Sequence, residues 1–378
     1  MPLLLFQLED NLIMQNINED IAMVCELTLE DLPDEIHLKI FANLKSKDLM
    51  CCAQVSNKLR RICHDASLWQ KINLCEKKVP SELLEQILGN GCQYLSLYDA
   101  QIKGRLNLAK KAYHLRYLNA GGLESQVDEF KDKKHNIEAL LGSCHSVEKL
   151  SLKGLDLNTN IFSDLLMNSH QNLSVLDLSA ISGMHLESIK HIVKCVKLTE
   201  LNLCFIDILS KYADVLYYLV KHMPVDLRKL CLMGLDCLSD EHVKVLVHRC
   251  NKLIELDLFG CFLVSKTSVA NIIEQLPELV KIDLSLTKIS TNGLIELKSM
   301  PQLKFLNCQH LRSEIEIQSL KSQLPNIAIN SNCGEFNTAL PTTSIQTRDG
   351  FWDIEVKQVE MLSPRIWDYM SREYESSR

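Results

Sequence analysis

The chain has 378 residues, of which 46% are hydrophobic and 24% charged, a composition typical of folded rather than disordered proteins. Its 41 basic and 48 acidic residues give a net charge of −7, and residues 1–31 contain seven acids and no lysine or arginine. A neutral body behind an acidic leader argues against nucleic acid as the main partner, because phosphate binding requires a clustered basic excess.

The N-terminus is apolar but has no basic region, so it makes a poor secretion signal. The longest apolar run, residues 215–220, has six residues, far short of the roughly 18 that a membrane span requires. We therefore expect an intracellular protein without a membrane partner.

The chain contains fifteen cysteines, a high and uneven number. No pair is spaced as C-x-x-C, and the adjacent Cys51 and Cys52 suit neither a zinc site nor a relaxed disulfide. We expect reduced, structural thiols and no bound metal.

A leucine pattern of the form L-x-x-L-x-L recurs through the middle of the chain. Six clear copies have as their fourth residue Leu150, Leu176, Leu201, Leu230, Leu256 and Ile282. Weaker copies place the same position at Leu95, Leu118, Leu306 and Ile327. The nine steps from residue 95 to residue 327 cover 232 residues, a mean of 25.8, which lies within the range of about 20–29 for leucine-rich repeats.

The repeat pattern predicts an α/β fold. Alternating leucines place two apolar side chains on one face of a short strand, and the intervening residues show helical spacing, as at Val243 and Leu246. Stacked units bury apolar faces that a single unit cannot bury alone. We expect a curved solenoid of about ten units, with a parallel sheet on the concave face and helices on the convex face.

Three cysteines occupy one register of these repeats. Cys144, Cys195 and Cys250 each lie six residues before a key leucine. A small apolar side chain that recurs at one position indicates packing rather than metal or redox chemistry.

Residues 26–74 show a different pattern, that of three short helices. Pro33 suits a first helical turn, Asp34 and Glu35 complement the helix dipole, and Ser46 can cap a second helix. A module of about fifty residues exposes more apolar surface than it can bury alone, so we expect a partner helix.

This module resembles the F-box family. The matching stretches are Leu32-Pro33-x-Glu35-Ile36, Ile40-Phe41-x-x-Leu44, Asp48-Leu49, Val55-Ser56 and Leu68-Trp69. Leu59 departs from the family, which usually has tryptophan there. The resemblance implies docking on the S-phase-kinase-associated adaptor and, through it, on the cullin scaffold of a ubiquitin ligase. The implied adaptor-binding residues are Leu32, Pro33, Ile36, Ile40, Phe41, Leu44, Leu49, Val55, Leu59, Leu68 and Trp69, with Leu32 and Trp69 as the expected anchors. A small helical cap on the solenoid is the alternative.

Residues 81–91, residues 324–330 and the tail around Trp352 resemble the S-phase-kinase-associated branch of the F-box/leucine-rich-repeat family. The resemblance implies a non-catalytic receptor of the nucleus and cytoplasm, without a cofactor. It further implies phosphorylated cell-cycle substrates, such as cyclin-dependent-kinase inhibitors, recognised together with a small cyclin-kinase-subunit helper. An interaction scaffold without a ligase role is the alternative.

The strand residues between the leucines are expected to face the concave side. In the late repeats, acidic and aromatic residues come together there without the arginine cluster that direct phosphate recognition would use. We therefore expect an acidic and aromatic surface that docks substrate or helper. The candidate residues are Phe205, Glu255, Asp257, Phe259, Asp283, Phe305 and Trp352. A solvated charged ladder is the alternative.

Motifs of several enzyme classes are missing from the sequence. It contains no G-x-x-x-x-G-K-[ST], no H-E-x-x-H and no paired Cys/His series of the RING type. A lone cysteine nucleophile stays open as an alternative at this point.

The tail after the last repeat, residues 331–378, contains two of the three tryptophans. Apolar and acidic residues alternate from Phe351 to Glu355, as in a strand with one buried face. We expect residues 333–357 to fold back along the concave face, with Trp352 near Phe259 and Phe305. The alternative is that this stretch caps the end of the solenoid.

These patterns divide the chain into five parts. They are an acidic leader expected to be disordered (1–25), the F-box (26–74), a linker with an irregular first repeat (75–91), the repeats (92–330) and the tail (331–378).

Overall fold

The computed structural model describes residues 29–44, 46–89, 91–108, 114–125, 130–156, 160–309 and 313–330. The chain divides into two compact units, with the boundary between Lys71 and Ile72. The predictions for residues 1–25 and for the tail, including Trp352, lie outside the described residues.

The N-terminal unit contains three short helices. They are α1 (Asp34–Phe41), α2 (Ser46–Cys52) and α3 (Asn57–Cys63), with 3-10 turns at Leu29–Asp31 and Ala66–Trp69. Helix α1 begins directly after Pro33 and has two acids in its first turn, where they complement the helix dipole. Ser56 caps α3 by accepting a 3.2 Å hydrogen bond from the backbone N–H of Leu59.

An eleven-stranded parallel sheet runs through the second unit, and its strand order follows the chain order. Its strands are β1 (Lys71–Asn73), β3 (Tyr94–Ser96), β5 (Tyr117–Asn119), β7 (Lys149–Ser151), β8 (Val175–Asp177), β9 (Glu200–Asn202), β10 (Lys229–Cys231), β11 (Glu255–Asp257), β12 (Lys281–Asp283), β13 (Phe305–Asn307) and β14 (Ala328–Ile329). A three-stranded sheet contains β2 (Lys78–Pro80), β4 (Gln101–Lys103) and β6 (Glu124–Ser125).

Helices return the chain between most of the strands. They are α4 (Ser81–Gly89), α5 (Phe130–Gly142), α6 (Asn160–Ser169), α7 (Leu186–Ile192), α8 (Asp207–Lys211), α9 (Ala213–His222), α10 (Asp240–Arg249), α11 (Lys266–Gln275), α12 (Thr291–Ile295), a 3-10 turn at Glu296–Ser299, and α13 (Glu314–Gln323). Serine caps recur: Ser313, for example, forms a capping box with Glu316 at the start of α13.

The strands pair in register, so the same repeat position meets itself across neighbouring strands. Leu201 lies opposite Leu230, and Leu230 lies opposite Leu256. These middle residues are at most 1% exposed. The first and third residues of each strand point to the opposite face, which we call the polar face of the sheet.

A left-handed turn follows nine consecutive strands of the large sheet. In each case the third residue after the strand has a positive φ, and glycine occupies only some of these positions. The nine residues are Glu76, Asp99, Gly122, Gly154, Ala180, Phe205, Gly234, Gly260 and Leu286. In the first eight of these residues the N–H donates to the next repeat, as from Phe205 to the carbonyl of Met233 at 2.9 Å. The turn therefore joins neighbouring repeats beyond the ends of the strands.

The architecture confirms the predicted α/β leucine-rich-repeat fold behind a helical module. Three elements were not predicted. Strand β1 lies at the end of the segment assigned to the module, a regular helix α4 occupies the expected irregular linker, and the three-stranded sheet accompanies the first repeats. Among the described residues, no helix is long and apolar enough to cross a membrane.

Candidate interaction surfaces

Four of the predicted adaptor-binding residues lie inside the N-terminal unit. Phe41, Leu49, Leu59 and Trp69 are each 2–3% exposed. The indole Nε1 of Trp69 donates a 2.6 Å hydrogen bond to the carbonyl of Cys63, which satisfies its polar atom in a buried position. The structure thus corrects the expectation that Trp69 is an anchor for a partner, because its ring is already enclosed.

Apolar residues on the surface of this unit are better placed for a partner. Ile36 and Ile40 lie one turn apart on α1 and are 39% and 40% exposed, so they share one side of the helix. Leu29 is 48% exposed and Val55 72%. Pro33 is also exposed, and Leu32, Leu44 and Leu68 are partly exposed. So many exposed apolar side chains on a unit of about fifty residues indicate that it binds a partner rather than standing alone in solvent.

On the polar face of the sheet, the third strand residue has a recurrent role. Its side-chain oxygen accepts the backbone N–H two residues later, at 2.8–3.1 Å, and so forms an Asx turn. The residues that do so are Asn73, Asn119, Asp177, Asn202, Asp257 and Asp283. Sequence reasoning missed this role, although the recurrence of asparagine or aspartate at the third strand position is visible in the sequence. A position that accepts either residue requires a short side-chain oxygen, not a charge.

Asp257 and Asp283 therefore hold turns, and they are only 1% and 8% exposed. Asp257 also accepts the Sγ–H of Cys231 at 3.2 Å, and Asp283 accepts the amide of Asn307 at 3.1 Å. Burial, together with the neighbouring Asp283, raises the pKa of Asp257 to about 7. This corrects the expectation of an exposed acidic patch, since both carboxylates are internal.

The first strand residues form a charged row beside these turns. Lys229 lies between Glu200 and Glu255, with Nζ–Oε1 distances of 3.5 and 3.6 Å. All three side chains are partly exposed, and Phe305 is partly exposed at the end of the row. Of the predicted substrate residues, Glu255 and Phe305 thus remain accessible, while the lysine between the carboxylates offsets their charge.

Phe205 lies on the turn after β9 and Phe259 on the turn after β11, with the turn of β10 between them. Phe205 has φ +53°, and its ring packs directly against Gly234 of the next repeat. Phe259 follows the Asx turn of Asp257, and both rings are partly exposed. Two aromatic residues predicted from the sequence are thus accessible on turns of the late repeats, whereas the predicted acids Asp257 and Asp283 are buried.

A second aromatic group, not predicted from the sequence, lies on the early strands. The rings of Tyr94 and Tyr117 stack with their centroids 4.3 Å apart and their planes at 13°. The Nζ of Lys149 lies 5.2 Å from the centroid of Tyr117, within cation–π range. In-register pairing of β3, β5 and β7 places the three residues side by side.

None of the thirteen cysteines in the described residues forms a disulfide. Cys144, Cys195 and Cys250 are at most 1% exposed, and burial raises the pKa of each to about 12. Their burial agrees with the packing role that the repeat register predicts. In the part of the chain that the structure describes, no three His, Cys, Asp or Glu side chains are placed to hold a metal ion.

Two family models match the chain. The model described as F-box-like matches residues 29–75, and the model described as SKP2 LRR domain matches residues 82–359. The second match covers well over half of the chain. The chain belongs to the F-box/leucine-rich-repeat family. The N-terminal unit is its F-box, and the exposed apolar surface of α1 belongs to that F-box.

Curated relatives carry the same combination of modules. F-box/LRR-repeat protein 12 of Mus musculus is 24% identical over 290 residues, which are 74% of this chain and 78% of the mouse protein. F-box/LRR-repeat protein 12 of Homo sapiens is 23% identical over 319 residues, which are 80% of this chain and 87% of the human protein.

Solved structures with a similar arrangement are more distant. The leucine-rich-repeat-containing protein LegL7 from Legionella pneumophila matches with a TM-score of 0.41 and 17% identity, over 68% of this chain and 89% of that chain. The yeast complex of Rad7 and Elc1 matches with a TM-score of 0.39 and 16% identity, over 92% of this chain and 98% of that chain.

Proposed function

We propose that this F-box protein is the non-catalytic substrate-recognition subunit of a Skp–cullin–F-box E3 ubiquitin ligase. The F-box binds the S-phase-kinase-associated adaptor and, through it, the cullin scaffold, while the repeats present a protein substrate. The observation that carries the proposal is the exposure of Ile36, Ile40 and Val55 on a folded F-box.

The adaptor interface tests this proposal directly. We expect the double substitution Ile36→Asp and Ile40→Asp to weaken binding of the full chain to recombinant adaptor at least ten-fold. The reason is that a charge then replaces the apolar contact, whereas the folded unit loses no buried side chain. Isothermal titration calorimetry measures the affinity, and thermal melting checks the fold.

Leu186→Asp is the matched control, because Leu186 is equally exposed, at 40%, but lies on helix α7 of the repeats. Unchanged adaptor affinity in the double variant would contradict the ligase assignment. It would favour the alternative, an interaction scaffold without a ligase role.

We further propose that the substrates are phosphorylated cell-cycle proteins, such as cyclin-dependent-kinase inhibitors, and that a small cyclin-kinase-subunit helper supplies the phosphate contact. We place the helper-docking surface at Phe205, Glu255, Phe259 and Phe305, and we expect the protein to act in the nucleus and cytoplasm. The support is chemical: aromatic rings are accessible on the late repeats, while Lys229 already lies between two glutamates. Tight binding of a phosphorylated inhibitor peptide by the full chain without helper would contradict this substrate model.

A further inference from the structure

The early strands carry a surface whose chemistry differs from that of the late repeats. On β3, β5 and β7, the first row of the polar face reads Tyr94, Tyr117 and Lys149. Four residues further along the chain in each repeat, the corresponding positions are Tyr98, Gly121 and Lys153. Both rows thus begin with tyrosine and end with lysine.

A side chain in place of Gly121, at the centre of the second row, would crowd both of its neighbours. A Cβ on Gly121 would lie 3.2 Å from the Cβ of Lys153 and 3.2 Å from Cδ2 of Tyr98. Lys153 and Tyr98 therefore both border the space next to Gly121, and the ammonium group of Lys153 lies at the end of its aliphatic stem. No ion pair within 4.0 Å is formed by Lys153 in the described part of the chain.

The nine positions of this surface include two lysines and no carboxylate. The small residues between the two rows are Ser96, Asn119 and Ser151, each at most 2% exposed. The carboxylates next to these positions are engaged within the chain: Asp177 holds an Asx turn and accepts the Ser151 hydroxyl at 3.2 Å, and Glu148 pairs with Arg116 at 2.7 Å. Two lysines and a stacked tyrosine pair, all partly exposed, therefore form a cationic and aromatic platform.

We propose that this platform is a subsite for an extended acidic segment of a protein partner. The subsite consists of Tyr94, Tyr117, Lys149 and Lys153, and an aromatic or apolar residue of the partner packs on the tyrosines. The two lysines lie four residues apart on one repeat. At about 3.3 Å per residue of extended chain, their Cα atoms are at most roughly 13 Å apart. Acids spaced similarly along an extended peptide can reach both ammonium groups. Charge complementarity thus selects an acidic partner.

This inference rests on the proposed function in one respect, namely that the repeats receive substrate. It adds the chemical class of that substrate segment and places its contact on the early repeats, away from Phe259 and Phe305. Nucleic acid suits the platform less well, because two lysines on a chain of net charge −7 provide little counterion release.

A fluorescein-labelled copolymer of glutamate and tyrosine serves as the probe, and fluorescence anisotropy with the full chain measures its binding. We expect saturable binding that weakens at least ten-fold in the Lys149→Met, Lys153→Met double variant, which keeps the aliphatic stems. The Tyr94→Leu, Tyr117→Leu variant should weaken binding as well. Lys244→Met with Lys298→Met is the matched control, since both lysines are exposed elsewhere on the repeats, and it should bind as the unmodified chain does.

Three outcomes would overturn the subsite. They are undiminished binding by the Lys149, Lys153 variant, equal binding of a single-stranded DNA oligonucleotide, and binding that appears only after Asp353→Asn and Glu355→Gln. The last result would make the tail of this chain the occupant. Adaptor binding should be unchanged in the lysine variant; a chain that binds the copolymer but not the adaptor overturns the proposed function and leaves the subsite standing.

Discussion

The ring of Phe205 lies against Gly234 so closely that a methyl group at position 234 would overlap with two of its ring atoms. Both residues occupy the left-handed turn of their repeats, with φ +53° and +70°. Position 234 must therefore be glycine for two reasons: its backbone is left-handed, and the Phe205 ring of the predicted docking surface occupies the space of a side chain.

This coupling predicts unequal costs for two glycine substitutions. Gly154 has the same φ of +70°, but an added Cβ at this position would have no atom within 4 Å. Gly154→Ala should therefore cost only the conformational penalty, about 1–2 kcal/mol. Gly234→Ala should cost about 1–3 kcal/mol more, because the Phe205 ring must move. Urea unfolding measures the free energies of unfolding.

The double variant Phe205→Ala, Gly234→Ala isolates the clash. We expect it to show a favourable coupling energy, so that the added cost of Gly234→Ala disappears in the Phe205→Ala background. Equal costs at positions 154 and 234 in the parent chain would contradict the packing of these two residues.

Asp257 makes the stability of the repeats depend on pH. Its pKa is raised to about 7 in the folded state by burial and by Asp283, whereas an unfolded aspartate has a pKa near 3.9. Between these values the folded state holds a proton that the unfolded state lacks, so stability falls as pH rises from about 4 to 7, by at most about 1.4 kcal/mol per pH unit.

Asp257→Asn should remove this loss and keep the Asx turn, since Asn202 forms the same turn in β9. The variant should be more stable than the parent chain at pH 8, with a smaller difference at pH 5. Urea unfolding at both pH values measures this, and Asp164→Asn on the exposed side of α6 is the control. Parallel pH profiles of the parent chain and the Asp257→Asn variant would refute the assignment.

Trp69 should act on stability rather than on adaptor contact. Trp69→Phe loses the hydrogen bond to Cys63 and some buried area, which should cost about 1–2 kcal/mol. Below the melting transition, adaptor affinity should stay unchanged. Reduced affinity without a lower melting temperature would show that the indole contacts the adaptor.

Thiol reactivity distinguishes packing cysteines from a nucleophile. At pH 8 the buried Cys144, Cys195 and Cys250 should resist iodoacetamide in the native protein, because their pKa of about 12 leaves few thiolates. The exposed Cys51 should react first. Mass spectrometry of labelled peptides reads the order, and one fast-reacting buried cysteine would revive the enzyme alternative.

The leucine period was predictable because each middle residue is buried and therefore constrained, as at Leu201 and Leu256. Strand β1 was not, since only Ile72 and Leu74 mark it and no leucine precedes them at the repeat spacing. In the small sheet, β2 and β4 have only one buried apolar residue each, Val79 and Ile102, and lack the flanking leucines that mark the repeats. For Asp257, the sequence shows an acid but not its burial, which depends on neighbouring repeats stacking in register.

The order of strands in the large sheet has a consequence for how the repeats come apart. Because that order follows the chain order, each strand is bonded to segments only about one repeat away in sequence. Arrays of this kind grow from neighbouring units and open from their ends. The amides of the terminal strand β14 should therefore exchange with deuterium well before those of β9 and β10, although the same kind of ladder joins them all.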